Sequence, residues 1–130
     1  MKILVGYDGS KVAEDALKLA QKHASVFNAD LQLMTSLQQG HELQKEDIEE
    51  AESKLDHFKL SFDFDNISCE THVSVTYLTP GEDLVRFAKE NAIDHIFIGV
   101  RKRSKVGKLV FGSTAQYVIL ESPCPVVTVK

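Results

Sequence analysis

Short apolar runs alternate along this chain with longer segments in which apolar residues recur every three or four positions. Ile3, Leu4 and Val5 form the first run, which stops at Gly6-Tyr7-Asp8-Gly9-Ser10, the signature of a buried strand followed by a turn. Ala13, Ala16, Leu17, Ala20, Ala24 and Phe27 then share one helical face. Ser10 stands at the N-cap position, with Glu14 and Asp15 in the first turns, where the helix dipole favours acids. Asn28-Ala29-Asp30 turns the chain, and Leu31, Leu33 and Met34 predict a second strand ending near Thr35-Ser36. A long helix is predicted from about His41 to Phe62, with Ile48, Ala51, Leu55, Phe58 and Phe62 as its apolar stripe. Its many acids, Glu42, Glu46, Asp47, Glu49, Glu50 and Glu52, read as a solvated face.

In the second half, Val73, Val75 and Tyr77 alternate with His72, Ser74 and Thr76, which predicts a third strand at a sheet edge, with His72 on its surface. Thr79-Pro80-Gly81-Glu82-Asp83 carries a cap, a proline for the first turn and acids after it, so a helix begins there with Leu84, Phe87 and Ala88 facing inward. Ile96 to Ile98 form a fourth strand. Gly112-Ser113-Thr114 opens a last helix with Ala115, Val118 and Ile119 on one face. Pro123 and Pro125 stop that helix, and Val126 to Val129 is a β-branched final strand. Strands and helices in strict alternation predict an α/β protein, a parallel sheet with helices on both faces.

At 130 residues the chain is expected to form one domain, residues 1–130, large enough for a real core. With 43% hydrophobic and 26% charged residues it has the composition of a soluble globular protein. No apolar run approaches the roughly 20 residues of a membrane span. The N-terminal run meets Gly6 and Asp8 too early for a signal peptide, so a cytoplasmic location is expected. Cys69 and Cys124 lack metal-type spacing and read as thiols rather than a disulfide. His41 and His57 belong to no ligand cluster, and no metal site is predicted.

Net charge is −4, a poor basis for general nucleic-acid binding, and no nucleic-acid partner is expected. The charge is uneven, however. Arg101, Lys102, Arg103, Lys105 and Lys108 crowd one loop with no acid among them, which suits a small polyanion or, equally, a solvated surface loop. That loop lies inside the most informative stretch, Ile96 to Tyr117: a strand, Gly99, the basic loop, then Gly112-Ser113-Thr114 at a helix start. Glycine lets a backbone approach a ligand closely, and the unpaired N–H groups of a helix's first turn favour an anion. The same glycines are also ordinary punctuation for a strand end and a helix start. The pattern is neither a Walker A loop nor Gly-x-Gly-x-x-Gly. No cysteine–histidine pair or Gly-x-Ser-x-Gly elbow suggests an enzyme, so no catalytic residue is assigned. Turnover is expected to be absent or far below the ~1 per second of ordinary enzymes.

The stretch resembles the nucleotide loop of the universal stress protein family, in which Gly, two residues, Gly, nine residues and Gly-Ser or Gly-Thr follow one another. Gly99 and Gly112-Ser113 fall at the outer positions; Lys102 replaces the middle glycine. The likeness extends to the strand, Asp8 and Ser10 at the start and to Ala92-Ile93-Asp94-His95 before the central strand. It implies an open, Rossmann-like five-stranded parallel sheet of order 3-2-1-4-5, which would bring Asp8 to the Gly99–Gly112 loop at the topological switch point. It further implies that ATP or a related adenine nucleotide is bound, with Mg2+ as a candidate bridge between phosphates. Gly112, Ser113 and Thr114 would meet the phosphates, Gly99 would let the chain pass the ribose, Asp8 would face the adenine side, and Ser36 would contact adenine through its backbone. Lys102 would either fill the phosphate space or add a charge to it. The family also implies a homodimer joined through Val126–Val129. The alternative reading is a dimeric interaction module that binds no nucleotide in the stress response, and Lys102 is the residue that favours it.

Overall fold

β1 (Lys2–Gly6) is the middle strand of a five-stranded parallel sheet. The structure is a computed structural model that describes residues 1–101 and 112–130. After β1 come α1 (Lys11–Phe27), β2 (Asp30–Gln38), α2 (Lys45–Phe64), β3 (Cys69–Thr76), α3 (Pro80–Glu90), β4 (His95–Gly99), α4 (Ser113–Glu121) and β5 (Val126–Val129). The strand order is β3-β2-β1-β4-β5, as the resemblance implies. The chain leaves β1 towards β2 and β3 and then returns to β4 on the other side of β1. The order therefore reverses between β1 and β4, and their carboxyl ends open a crevice there.

Each face of the sheet buries its own cluster. Ile3, Val5, Leu31, Leu33 and Phe97 meet Ala13, Leu17, Ala20 and Ala24 of α1 and Leu55 and Phe62 of α2. Leu4, Met34, Ile96 and Ile98 meet Leu84, Val85 and Ala88 of α3 and Ala115 and Val118 of α4. Period-two alternation along β1 thus feeds both cores. Each fully buried Leu or Ile in these clusters contributes about 1.5–3 kcal/mol relative to exposure. The alanines of α1 let that helix lie close to the sheet.

Local chemistry sets the element ends. The Ser10 hydroxyl accepts from the Ala13 N–H at 3.2 Å and starts α1, and Asn28 ends it in the left-handed region at φ 53°. At α3 a reciprocal box forms: the Thr79 hydroxyl accepts from the Glu82 N–H at 3.3 Å, and the Glu82 carboxylate accepts from the Thr79 N–H at 3.1 Å. The Thr79 hydroxyl also donates to Glu82 Oε1 at 2.8 Å, and this bond, with the one from the Thr79 N–H, holds the Glu82 carboxyl below its ordinary value.

Several boundaries differ from expectation. α2 begins at Lys45 rather than near His41, because the Asp47 carboxylate accepts the Gln44 N–H at 2.9 Å and fixes the first turn there. β3 begins at Cys69 and stops at Thr76, leaving Tyr77 outside the strand and exposed. Phe27 and Ile119 lie on the predicted apolar stripes yet are exposed. Both sit in the last turn of their helices, where the stripe is not covered. His72 is not a free surface residue: its Nε2 is 2.7 Å from Gln32 Oε1, and its ring lies 4.8 Å from that of Phe87. Both cysteines are free thiols, and burial pushes Cys69 up to about 11. Among the described residues no helix is long and apolar enough to cross a membrane, and no His/Cys/Asp/Glu cluster could hold a metal ion.

Candidate functional site

Two clefts open at the carboxyl edge of the sheet, one on each face. The first, about 400 Å³, lies on the α2 side among Tyr7, Leu37, Glu42, Asp47, Glu50 and Lys54. Its acids outnumber its one lysine, and Glu50 already pairs with Lys54 at 3.2 Å. This lining repels anions.

The second cleft, about 350 Å³, occupies the switch-point crevice on the α3/α4 side. Asp8, Ser36, Gly99, Gly112, Ser113 and Thr114 all line it. It thus gathers the described residues that the sequence reading singles out. Lys102, with Arg103, Lys105 and Lys108 of the basic loop, lies outside the described residues. Met34, Pro80, Leu84 and Ile98 form the apolar walls. Sequence periodicity assigns Met34, Leu84 and Ile98 to the core, so their second role at the cleft is not visible from the pattern. Arg101 also lines the cleft, and its place two residues after the end of β4 is the signal that marks it among the basic residues.

Asp8 is held by the turn that follows β1. Its Oδ1 accepts from the Ser10 N–H at 2.9 Å and from the Ser10 hydroxyl. Its Oδ2 faces Arg101 Nη2 at 3.5 Å. Both side chains of that pair are about half exposed or more, so the pair is weak and easily exchanged for another anion on Arg101. Thr35 Oγ1 donates to the Tyr7 carbonyl at 2.8 Å and pins the turn to β2.

The absent side chain of Gly99 serves α1. A Cβ there would lie 2.5 Å from the Val12 carbonyl carbon and 2.6 Å from the Ala13 amide nitrogen. This packing reason for glycine holds whether or not a ribose passes nearby. Gly112 differs: among the described residues a Cβ there meets nothing within 4 Å. It caps α4 in an extended conformation (φ −63°, ψ 159°), and among the described residues no side chain caps that N-terminus. A helix's first N–H groups have no intrahelical partner. At α4 those of Ser113 and its successors face the cleft end, where the helix dipole adds positive potential.

The opposite wall offers a different kind of edge. β1–β2 pairing ends at Gly6–Met34, with one more bond from the Tyr7 N–H to the Met34 carbonyl at 2.9 Å. β2 continues beside β3 to Gln38. Alternate residues of a parallel strand present both N–H and C=O to the same neighbour. Ser36, two beyond Met34, therefore presents both to the space that β1 has left. Beneath it, Asp83 is completely buried, a position the sequence reads only as a helix-start acid. Asp83 Oδ2 accepts from the Ser36 hydroxyl at 2.7 Å, and Oδ1 from Arg86 Nη2 at 2.7 Å.

An open parallel sheet with this crevice at its switch point, beside an uncapped helix N-terminus, places the chain among the Rossmann-like α/β proteins. The model of the universal stress protein family matches residues 1–130, and the chain belongs to that family. A universal stress protein of Methanocaldococcus jannaschii is 27% identical over 143 residues, covering 99% of this chain and 81% of its own length. Among solved structures, a universal stress protein from Archaeoglobus fulgidus is 37% identical with a TM-score of 0.88, over 100% of this chain and 98% of that one. A structure of the universal stress protein from Archaeoglobus fulgidus in complex with dAMP is 32% identical with a TM-score of 0.83, over 100% and 98%.

Proposed function

We propose that this universal stress protein binds an adenine nucleotide in the switch-point crevice, with the phosphates on the N-terminus of α4 and the base against the free edge of β2 at Ser36. The observation that carries the reading is the pairing of two complementary features across one cleft. One wall offers uncapped helix N–H groups for an anion; the other offers a backbone donor and acceptor above apolar walls, which suits a base. Support comes from the relative solved in complex with dAMP at 32% identity. ATP, with or without Mg2+, is the fullest ligand of this class, and a nucleoside monophosphate is the smallest. Gly112, Ser113 and Thr114 meet the phosphates, Arg101 releases Asp8 to take an anion, and Asp8 borders the base. Lys102 enters as a charge or as an obstruction at the phosphates.

A thermal-shift titration with AMP, dAMP, and ATP with and without Mg2+ tests the proposal. Ligand at 100 times its dissociation constant adds about 2.7 kcal/mol of stability, a rise of several degrees. No shift with any of these nucleotides up to millimolar concentration overturns it, and leaves the interaction-module reading that the Lys102 substitution favours.

The proposal includes a cytoplasmic homodimer joined edge to edge through β5. β5 is an outer strand, and Val126 and Val127 already pack against opposite faces of the sheet. The preceding helix leaves Leu120 exposed. Bonds from the Ile96 N–H to the Pro125 carbonyl and from the Val100 N–H to the Val129 carbonyl turn the odd-numbered backbone groups of β5 inward. The outward donors and acceptors therefore belong to Val126 and Thr128, free for a second copy across a two-fold axis. Thr128→Pro removes an outward donor and is expected to shift the sedimentation profile at micromolar concentration from dimer to monomer. A wild-type monomer, or a dimer that survives this proline, contradicts the interface. Val127→Pro breaks the ladder to β4 instead and should lower stability directly.

A further inference from the structure

We propose that the Ser36 hydroxyl, oriented by the buried Asp83 carboxylate, selects the base in the crevice: it admits a purine whose six-position carries an amino group and disfavours one that carries a carbonyl. This rests on the nucleotide reading above and adds to it a residue pair that sets specificity.

A hydroxyl has one proton to give and two lone pairs with which to accept. At Ser36 the proton is committed. Its Oγ donates to Asp83 Oδ2 at 2.7 Å. The other carboxylate oxygen is taken by Arg86 Nη2 at 2.7 Å, and the Asp83 side chain has no exposure at all. An ionised carboxylate only accepts, so it never returns a proton to Ser36. Two short charge-assisted bonds hold it in place. Asp83 also stands in the first turn of α3, where the dipole favours its charge. Ser36 lines the cleft beside Pro80 and Leu84 of the same helix. Towards the cleft, then, its hydroxyl offers lone pairs alone.

The consequence is a polarity filter. The 6-amino group of adenine donates to such an oxygen. The 6-oxo group of hypoxanthine or guanine would set lone pair against lone pair. An unmade hydrogen bond of this kind weakens binding by roughly tenfold or more. Asp83 touches no ligand in this arrangement; it is a positioning residue that acts through Ser36.

The test compares AMP with IMP, which differ at the six-position and at the adjacent ring nitrogen, by isothermal titration of the full-length protein and two variants. The wild type is expected to prefer AMP roughly tenfold or more. Ser36→Ala, which keeps the backbone donor and acceptor of residue 36, should lower that ratio several-fold. Asp83→Asn keeps the shape but changes the polarity. The amide oxygen faces Arg86 and the NH2 faces Ser36, so the hydroxyl accepts there and turns its own proton into the cleft. The AMP preference should then fall below that of Ser36→Ala, which a merely structural loss of Asp83 would not produce. Thermal melts confirm that both variants are folded, and Ser36→Ala alone decides if Asp83→Asn is not. Equal wild-type affinity for AMP and IMP, or an unchanged ratio in Ser36→Ala, overturns the selector while leaving nucleotide binding intact. Failure of the wild type to bind either nucleotide overturns the nucleotide reading and this inference with it.

Discussion

Replacing Gly112 by valine is expected to abolish nucleotide binding and leave the protein folded. The two halves of that result have separate causes. Gly112 sits at φ −63° and ψ 159°, a conformation open to any L-residue. Among the described residues a Cβ at this position meets no atom within 4 Å. The fold therefore tolerates the side chain, and stability should change by no more than about 0.5 kcal/mol. The space a valine would fill is the space at the head of α4 where the phosphates are proposed to sit. A branched side chain there holds them off the first-turn N–H groups. Charge-assisted hydrogen bonds contribute about 1.5–3 kcal/mol each, so losing two weakens binding by roughly 100-fold or more. Isothermal titration and a thermal melt of the variant check both halves. Parental affinity in Gly112→Val would mean that the phosphates lie elsewhere.

Gly99→Ala is expected to do the opposite: it damages the fold first. The added methyl would lie 2.5 Å from the main chain of Val12, and backbone cannot rotate aside as a long side chain can. Either α1 lifts from β4 or the end of β4 shifts. Overpacking of this kind costs about 1–3 kcal/mol, occasionally more, and the backbone contact places this case at the upper end. For a chain of this length the midpoint should fall by roughly 10 °C. Because α1 begins at the Asp8–Ser10 turn, nucleotide affinity should fall as well. A variant that melts with the wild type would show that the close approach of α1 to Gly99 does not constrain the fold.

The contrast between these glycines marks the reach of the sequence. Gly99 and Gly112 look alike in the chain, one after an apolar run and one before a helical stripe. Only the packing of α1 across the end of β4 separates a glycine needed for the fold from one left free for a ligand. Features set by neighbours in sequence were legible. The strand–helix alternation, the Ser10 and Thr79 caps, and the small-residue face of α1 all follow from spacings of two to four residues. The strand order and the meeting of Asp8 with the α4 N-terminus came through family resemblance, since no local spacing specifies which strands become neighbours. Other features depend on how far a partner surface extends, and those were not legible. Phe27 and Ile119 continue their stripes past the cover available to them. Ser36 and Asp83 are 47 residues apart, and nothing near Asp83 distinguishes a buried carboxylate from the exposed acids that commonly open a helix. The ladder parity of β5 was equally hidden. A β-branched run shows an edge strand, but only its pairing with β4 shows that Val126 and Thr128 face outward.

The most direct measurement of the central claim is an amide chemical-shift titration of isotope-labelled protein with AMP. The account predicts saturable shifts concentrated at Gly112, Ser113 and Thr114 on one side of the crevice and at Ser36 and Asp8 on the other, with the cleft beside α2 unmoved. Shifts confined to the α2 cleft around Glu42, Asp47 and Glu50, or no shifts at millimolar nucleotide, would contradict it.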